Sequence, residues 1–171
     1  MPMPIAHGFL GASIVAAVYP KVFKARYYLP ILTGAFLANA ADFDFLLVFA
    51  THDKDWHRGF THSIIFSLIV GLLFYIYFGR TEWRKSLAFS LAFASHFVLD
   101  FITTKIGGGL ELFFPVTNER FGLHWFGLSE YPSKMSLTEI ILAVLIEFAI
   151  FFSIFLAVIF LRDKFRNRFG N

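Results

Sequence analysis

The chain of 171 residues contains no cysteine. That excludes disulfides, thiolate zinc sites and a cysteine nucleophile. Charge is scarce too: Asp, Glu, Lys and Arg make up 16% of the sequence, against about 25% in a soluble domain. No cationic leader precedes the first apolar run and no small-residue cleavage site follows it, so no signal peptide is expected. Internal repeats and low-complexity tracts are missing. The net charge is +3 and the pI about 9.3, but no basic face interleaved with aromatics exists, so nucleic acid is not an expected partner. His-Glu-x-x-His, Gly-x-Ser-x-Gly and Gly-x-Gly-Asp are all absent, which ranks a membrane protease last.

What is abundant is apolar. Hydrophobic residues make up 57% of the chain, Phe alone supplies 25 residues, and the mean hydropathy is +0.66. This is a membrane composition, and the length suits one integral domain spanning 1–171. A spanning helix needs about 20 mostly apolar residues, and five candidates stand out. They are Ile5 to Tyr19, Tyr27 to Ala50, Phe60 to Gly79, Ser86 to Thr104 and Ser136 to Leu161. The expected fold is therefore all-α, a polytopic membrane bundle of about five helices. Near 106–134, Gly107, Gly108, Gly109, Pro115, Gly122, Gly127 and Pro132 break any long helix, and a re-entrant or interfacial cover is expected there.

Lys and Arg set the orientation. Lys21, Lys24, Arg26, Arg80, Arg84, Lys85, Arg162, Lys164, Arg166 and Arg168 fall on one side, ten of the 15 basic residues. Lys54, Arg58, Lys105, Arg120 and Lys134 fall on the other. The N-terminus is expected outside and the C-terminus in the cytoplasm, in a plasma (inner) membrane. Trp56, Trp83 and Trp125 suit the interface belts, and His52 and His124 are read as interfacial.

The polar exceptions then converge. His7 lies near the outer end of the first span, and Asp42 and Asp44 in the outer part of the second. His57 and His62 flank the outer entry to the third. His96 and Asp100 sit in the outer half of the fourth, spaced i, i+4 and so on one helix face. A carboxylate at mid-helix depth costs on the order of 2.5–3.5 kcal/mol on insertion scales, and a divalent cation removes that penalty. Imidazole is the commonest metal ligand. Seven candidate ligands exceed the roughly four that one zinc takes, which suggests two ions with a bridging carboxylate. Asp42 and Asp44 point about 200° apart on a straight helix. Either the helix unwinds there, or one Asp is a ligand and the other a second-sphere partner or general base. Glu147, deep in the fifth span, is read as a helix-packing hydrogen bond, with a further carboxylate for the metal site as the alternative. Thr61 is a candidate cap for the following helix, and Arg58 a candidate clamp for an anion.

The box His57-Arg58-Gly59-Phe60-Thr61-His62-Ser63, together with His7-Gly8, Asp42-Phe43-Asp44 and His96-x-x-x-Asp100, resembles the membrane-bound metal-dependent hydrolases described as LexA-regulated inner-membrane hydrolases. Thr103, Gly107 and Pro115 follow at similar spacings, and the resemblance covers roughly the first 115 residues. One departure is Ala41, where that family carries Pro before its first Asp. A weaker likeness is to zinc-dependent phospholipase C, which also gathers His and Asp on helices. The resemblance implies metal-dependent hydrolysis, and His and Asp ligation favours zinc by default, with manganese, iron or magnesium as alternatives.

The resulting expectation is a membrane hydrolase acting on a lipid or lipid-linked phosphoester headgroup at the outer leaflet. His7, Asp42, Asp44, His57, His62, His96 and Asp100 are the expected metal ligands. Asp44 is expected to position or accept the proton of the attacking water, and Arg58 to hold the anionic group. The alternative is a proton or metal-ion transporter using the same His/Asp cluster, although such sites usually lie at the midplane between repeated halves.

Overall fold

The computed structural model describes residues 2–19, 28–103, 108–123 and 136–169. Among the described residues every regular element is a helix, and 108–123 form a turn-rich segment with one isolated bridge. The helices are α1 (Pro4–Val18), α2 (Tyr28–Ala40), α3 (Phe45–Thr51), α4 (Ile64–Phe78), α5 (Trp83–Thr103) and α6 (Leu137–Phe169). Among the described residues, three helical stretches are long and apolar enough to cross a bilayer: Tyr28–Thr51, Arg80–Thr103 and Leu137–Arg166. A fourth span forms if Lys54–His62 and Ile64–Phe78, bent by 51°, count as one, and α1 is a shorter apolar helix. The connection carrying Lys21, Lys24 and Arg26, and residues Lys105, Gly107, His124, Trp125 and Lys134, lie outside the described residues.

α1 is the central post, packing on α2, α5 and α6. Pro4 starts it, where a missing backbone N–H costs nothing. Its crossing with α2 is made by two glycines. A methyl group on Gly11 would fall on the carbonyl of Gly34, so the backbones meet as small residues allow in membrane helices. Below this crossing Ala12, Val15, Ala16, Ile31, Phe89, Ala92 and Ile159 form a buried cluster. The far end of α1 is closed by Arg162 of α6, whose Nη1 donates to the carbonyls of Ala16 (2.8 Å) and Tyr19 (2.6 Å). At the near end, the backbone N–H of Met3 donates to Glu147 Oε2 at 2.8 Å in a buried contact. The expected packing role of Glu147 is thus observed, with backbone as its partner.

α4 is apolar all round and buries only Ser67, as a lipid-facing helix does. It leans on α5, where Ser90 Oγ donates to the carbonyl of Ser67 at 2.7 Å. α6 begins with a reciprocal cap: Ser136 N–H donates to Glu139 Oε2 (2.7 Å), and Glu139 N–H to Ser136 Oγ (3.3 Å). It runs to Phe169, two turns beyond the expected end at Leu161, so Arg162, Lys164 and Arg166 are helical rather than a tail.

Three boundaries decide where the polar residues go. Within the expected span Tyr27 to Ala50, where unwinding at the two Asp residues was one of two alternatives, residues Ala41–Asp44 tighten into a 3-10 turn between α2 and α3. The break forms with Ala41 in the place of proline. The third span does not begin at Phe60. A 3-10 turn over Phe60–His62 precedes α4, and Ser63 is its N-cap, accepting from Phe66 N–H at 3.1 Å. This corrects the assignment of the cap to Thr61, whose hydroxyl turns inward instead. Residues 108–123 lie against this loop. Leu110 bridges Phe121 in antiparallel fashion, Glu111 N–H donates to Arg58 O, and Ile64 N–H donates to Leu112 O. Leu110 and Leu112 bury against Phe97 of α5. The described part of the glycine-rich segment is thus a cover fastened to the histidine loop. Gly109, at φ +86, lies where any side chain would strike Phe121.

Candidate metal centre

One end of the bundle collects all seven candidate ligands. His7 comes from the second turn of α1, Asp42 and Asp44 from the 3-10 turn after α2, His57 and His62 from the loop before α4, and His96 and Asp100 from α5. Three overlapping triads place ligand atoms within 4.8 Å of one another: His7/His96/Asp100, Asp42/His62/His96 and Asp42/Asp44/His57. The 3-10 geometry makes this possible. At about 3.0 residues per turn, side chains two apart diverge less than the 200° of a straight α-helix, so Asp42 and Asp44 both turn toward the same pocket.

The cluster is dry. His7, His62, His96 and Asp100 have no exposed side-chain surface and Asp44 is 1% exposed. Only the side chains of Asp42 and His57 are partly open, 18% each. Such burial is costly unless polar atoms find partners, yet seven buried atoms have no hydrogen bond: His7 Nδ1 and Nε2, Asp42 Oδ1, His62 Nε2, His96 Nε2, and both Asp100 carboxylate oxygens. They face one another. His96 Nε2 is 3.3 Å from Asp42 Oδ1 and 3.9 Å from Asp100 Oδ2. His62 Nε2 is 3.7 Å from Asp42 Oδ1, and His7 Nε2 is 3.4 Å from Asp100 Oδ1. Donors held about 2.0–2.2 Å from one ion in a tetrahedron are about 3.3–3.6 Å apart. The His96–Asp42 and His7–Asp100 spacings fall in that range, and the His62–Asp42 and His96–Asp100 spacings, at 3.7 and 3.9 Å, lie just beyond it.

The other ring nitrogens fix the tautomers. His96 Nδ1 lies 2.7 Å from the Ala38 carbonyl, which only accepts, so Nδ1 carries the proton and Nε2 offers its lone pair. Thr61 Oγ1 donates to Asp44 Oδ2 at 3.0 Å and therefore accepts from His62 Nδ1, also at 3.0 Å. His62 Nε2 is then likewise a lone pair. Ligating histidines characteristically give their second N–H to a carboxylate, carbonyl or similar partner. Asp44 is the hub of this outer layer. It accepts from His57 Nδ1 (3.0 Å), Arg58 N–H (2.9 Å) and Thr61 Oγ1. Arg58 reaches this position with a left-handed backbone, φ +63, and its Nε lies 3.7 Å from Asp100 Oδ2. The guanidinium is thus buried inside the cluster rather than displayed at its edge.

A family model described as YdjM inner membrane protein matches residues 1–165. The chain belongs to the YdjM inner membrane protein family. It is also similar to the inner membrane protein YbcI of Escherichia coli strain K12, 32% identical over 141 residues that cover 80% of each chain. No solved structure matches. Family membership and the apolar helices together make this a membrane protein, and its buried His and Asp groups could hold a metal ion.

Spacing alone did not identify Thr61 as part of the site or the Ala38 carbonyl as the partner of His96. Thr61 has a sequence signal in hindsight, a hydroxyl beside a ligand histidine. The Ala38 carbonyl has none, since backbone carries no side-chain signature. His52 is exposed at the end of α3 with φ 58, and Trp56 and Trp83 are exposed.

Proposed function

We propose that the chain is a membrane-embedded, metal-dependent hydrolase of a lipid or lipid-linked phosphoester headgroup, with zinc as the ion. The observation that carries this reading is the set of buried ring nitrogens and carboxylate oxygens that face one another without hydrogen bonds. An ion there takes one nitrogen from each of His7, His62 and His96 and the carboxylate oxygens of Asp42 and Asp100 that face them. A bound divalent metal polarises a phosphoryl oxygen and brings the pKa of a bound water to about 7.

The chain's own residues supply the rest. His57 is an imidazole oriented by a carboxylate, Nδ1 to Asp44 Oδ1 at 3.0 Å. It stands at the partly open edge, the arrangement by which a histidine accepts a proton. Asp44, expected to position or accept that proton, has both oxygens engaged, and in this reading it takes the positioning role by orienting His57. Arg58, beside Asp100, is the cation that a phosphoryl group entering the cluster would meet.

The lipid assignment is supported by where the edge opens. Asp42 and His57 are its partly exposed members. Phe45 stacks on the His57 ring with centroids 4.0 Å apart, and Phe36, Phe43 and Leu46 nearby are 56%, 54% and 68% exposed. These apolar residues belong to the membrane-crossing stretch Tyr28–Thr51. A substrate with acyl or prenyl chains is suited to that approach. By the distribution of Lys and Arg the edge faces the outer leaflet.

The test is phosphate release by zinc-loaded protein in nanodiscs, from a panel of lipid phosphoesters and lipid diphosphates. The expected result is turnover of at least one lipid, abolished by His96→Gln and by chelation. Zinc or proton flux in liposomes with no hydrolysis of any lipid would replace this reading with the transporter.

A further inference from the structure

We infer that the centre holds one divalent ion, not two, and that its seven polar residues divide into five ligands and a two-residue outer pair. The ligands are His7, Asp42, His62, His96 and Asp100. The outer pair is Asp44 and His57. The inference rests on the metal in the reading above but not on hydrolysis.

Three observations lead here. The first is the shared atom. His96 belongs to both inner triads, and its Nδ1 is committed to the Ala38 carbonyl at 2.7 Å. The single remaining lone pair, on Nε2, binds one ion. The triads are therefore two sides of one coordination sphere, with Asp42 and His62 on one side and His7 and Asp100 on the other.

The second is the roll of unpartnered atoms. Every residue assigned as a ligand has at least one buried side-chain atom without a hydrogen bond, and neither Asp44 nor His57 does. Asp44 accepts from His57, from the Arg58 backbone and from Thr61. His57 directs its Nδ1 proton into that same carboxylate. In the third triad, Asp42/Asp44/His57, the Asp44 carboxylate and His57 Nδ1 are thus already partnered, and the one unpartnered oxygen, Asp42 Oδ1, is the atom that faces His62 and His96.

The third is charge. Asp42, Asp44 and Asp100 bring three negative charges, and Arg58 brings one positive charge 3.7 Å from Asp100. With neutral imidazoles the buried cluster carries two net negatives, which one divalent ion cancels. A second ion would leave two positive charges in a dry site, at the Born cost that buried charge carries.

The experiment loads detergent-purified full-length protein with Zn²⁺ in excess, removes unbound metal by gel filtration, and measures zinc per chain by elemental analysis. Co²⁺ is loaded in parallel, because its visible spectrum reports coordination number and ligand type. About one zinc per chain is expected for the wild type and for His57→Gln, with the same Co²⁺ spectrum in both. Asp44→Asn is expected to keep that stoichiometry with affinity weakened about 10–100-fold, as loss of an outer-sphere partner does. His96→Gln and Asp42→Asn are expected to lose the ion. Circular dichroism and a monodisperse elution profile separate loss of metal from loss of fold. If His96→Gln fails to fold, the His57→Gln and wild-type values still decide. Two zinc ions per chain in the wild type, or a changed Co²⁺ spectrum in His57→Gln, overturns the division. One zinc per chain with no lipid hydrolysed leaves it standing and removes the hydrolase, so the two failures are distinguishable.

Discussion

Replacing Thr61 by valine keeps the side-chain shape and removes one hydroxyl. Thr61 is buried, 7% exposed as a residue, and its hydroxyl makes two contacts. It donates to Asp44 Oδ2 at 3.0 Å and accepts from His62 Nδ1 at 3.0 Å. Valine leaves the His62 N–H and one carboxylate lone pair in a dry site with weaker partners. His62 Nδ1 can still turn to Asp44 Oδ2, now 3.3 Å away, so part of the loss is recovered. An unsatisfied buried group costs about 1–3 kcal/mol, and lost second-sphere partners typically cost 10–100-fold in metal affinity. Since tenfold corresponds to about 1.4 kcal/mol, the two figures agree. The expected outcome is a zinc dissociation constant raised about 10–100-fold in Thr61→Val, measured by competition with a chromogenic chelator. Thr61→Ser should restore wild-type affinity, because it keeps the oxygen and loses only a methyl group. Wild-type zinc affinity in Thr61→Val would refute the claim that this hydroxyl sets the tautomer of His62.

Elsewhere the bundle makes simpler demands. Gly11→Leu places a side chain onto the Gly34 carbonyl. It should lower stability by at least the roughly 1–3 kcal/mol of an overpacked core, read as an earlier unfolding midpoint in a detergent–denaturant titration. Glu147→Leu strands the buried Met3 N–H and should cost about 1–3 kcal/mol in the same assay. It should also weaken zinc binding, since His7 follows one turn later on the same helix. Ser63→Ala removes the N-cap of α4, for an expected loss of about 1 kcal/mol, whereas the fold should tolerate Thr61→Ser. Acidification should release zinc, because each ligating imidazole must be unprotonated to bind. The sign is fixed: affinity falls as pH falls, and an affinity that rose on acidification would contradict histidine ligation.

Much of this site was legible from spacing. His96 and Asp100 share a face of α5 because they are one helical turn apart, and the structure places them on the same pocket. Alternating spans put His7, the Asp42–Asp44 turn, the His57–His62 loop and the end of α5 at one end of the bundle. Convergence follows from topology alone. What spacing could not supply was the division of roles. Asp42 and Asp44 are the same residue type two positions apart. Their difference comes from three hydrogen bonds to Asp44, donated by residues 13 to 17 positions later. The inner position of Arg58 depends on a left-handed backbone in a non-glycine residue, which composition does not announce. The division of the second span at Ala41–Asp44 was left open by the angular argument, and the structure closes it as a 3-10 turn. Glu147 was recognisable as a packing residue, but its partner, the Met3 backbone, is 144 positions away.

The central claim is that polar groups from four parts of the chain surround one cation. X-ray absorption at the zinc edge of the purified, zinc-loaded protein tests it most directly. The account predicts a first shell of nitrogen and oxygen at about 2.0–2.2 Å, with the multiple-scattering pattern of three imidazoles. A shell of water oxygens without imidazole scattering, or a zinc signal that washes away on gel filtration, would contradict it.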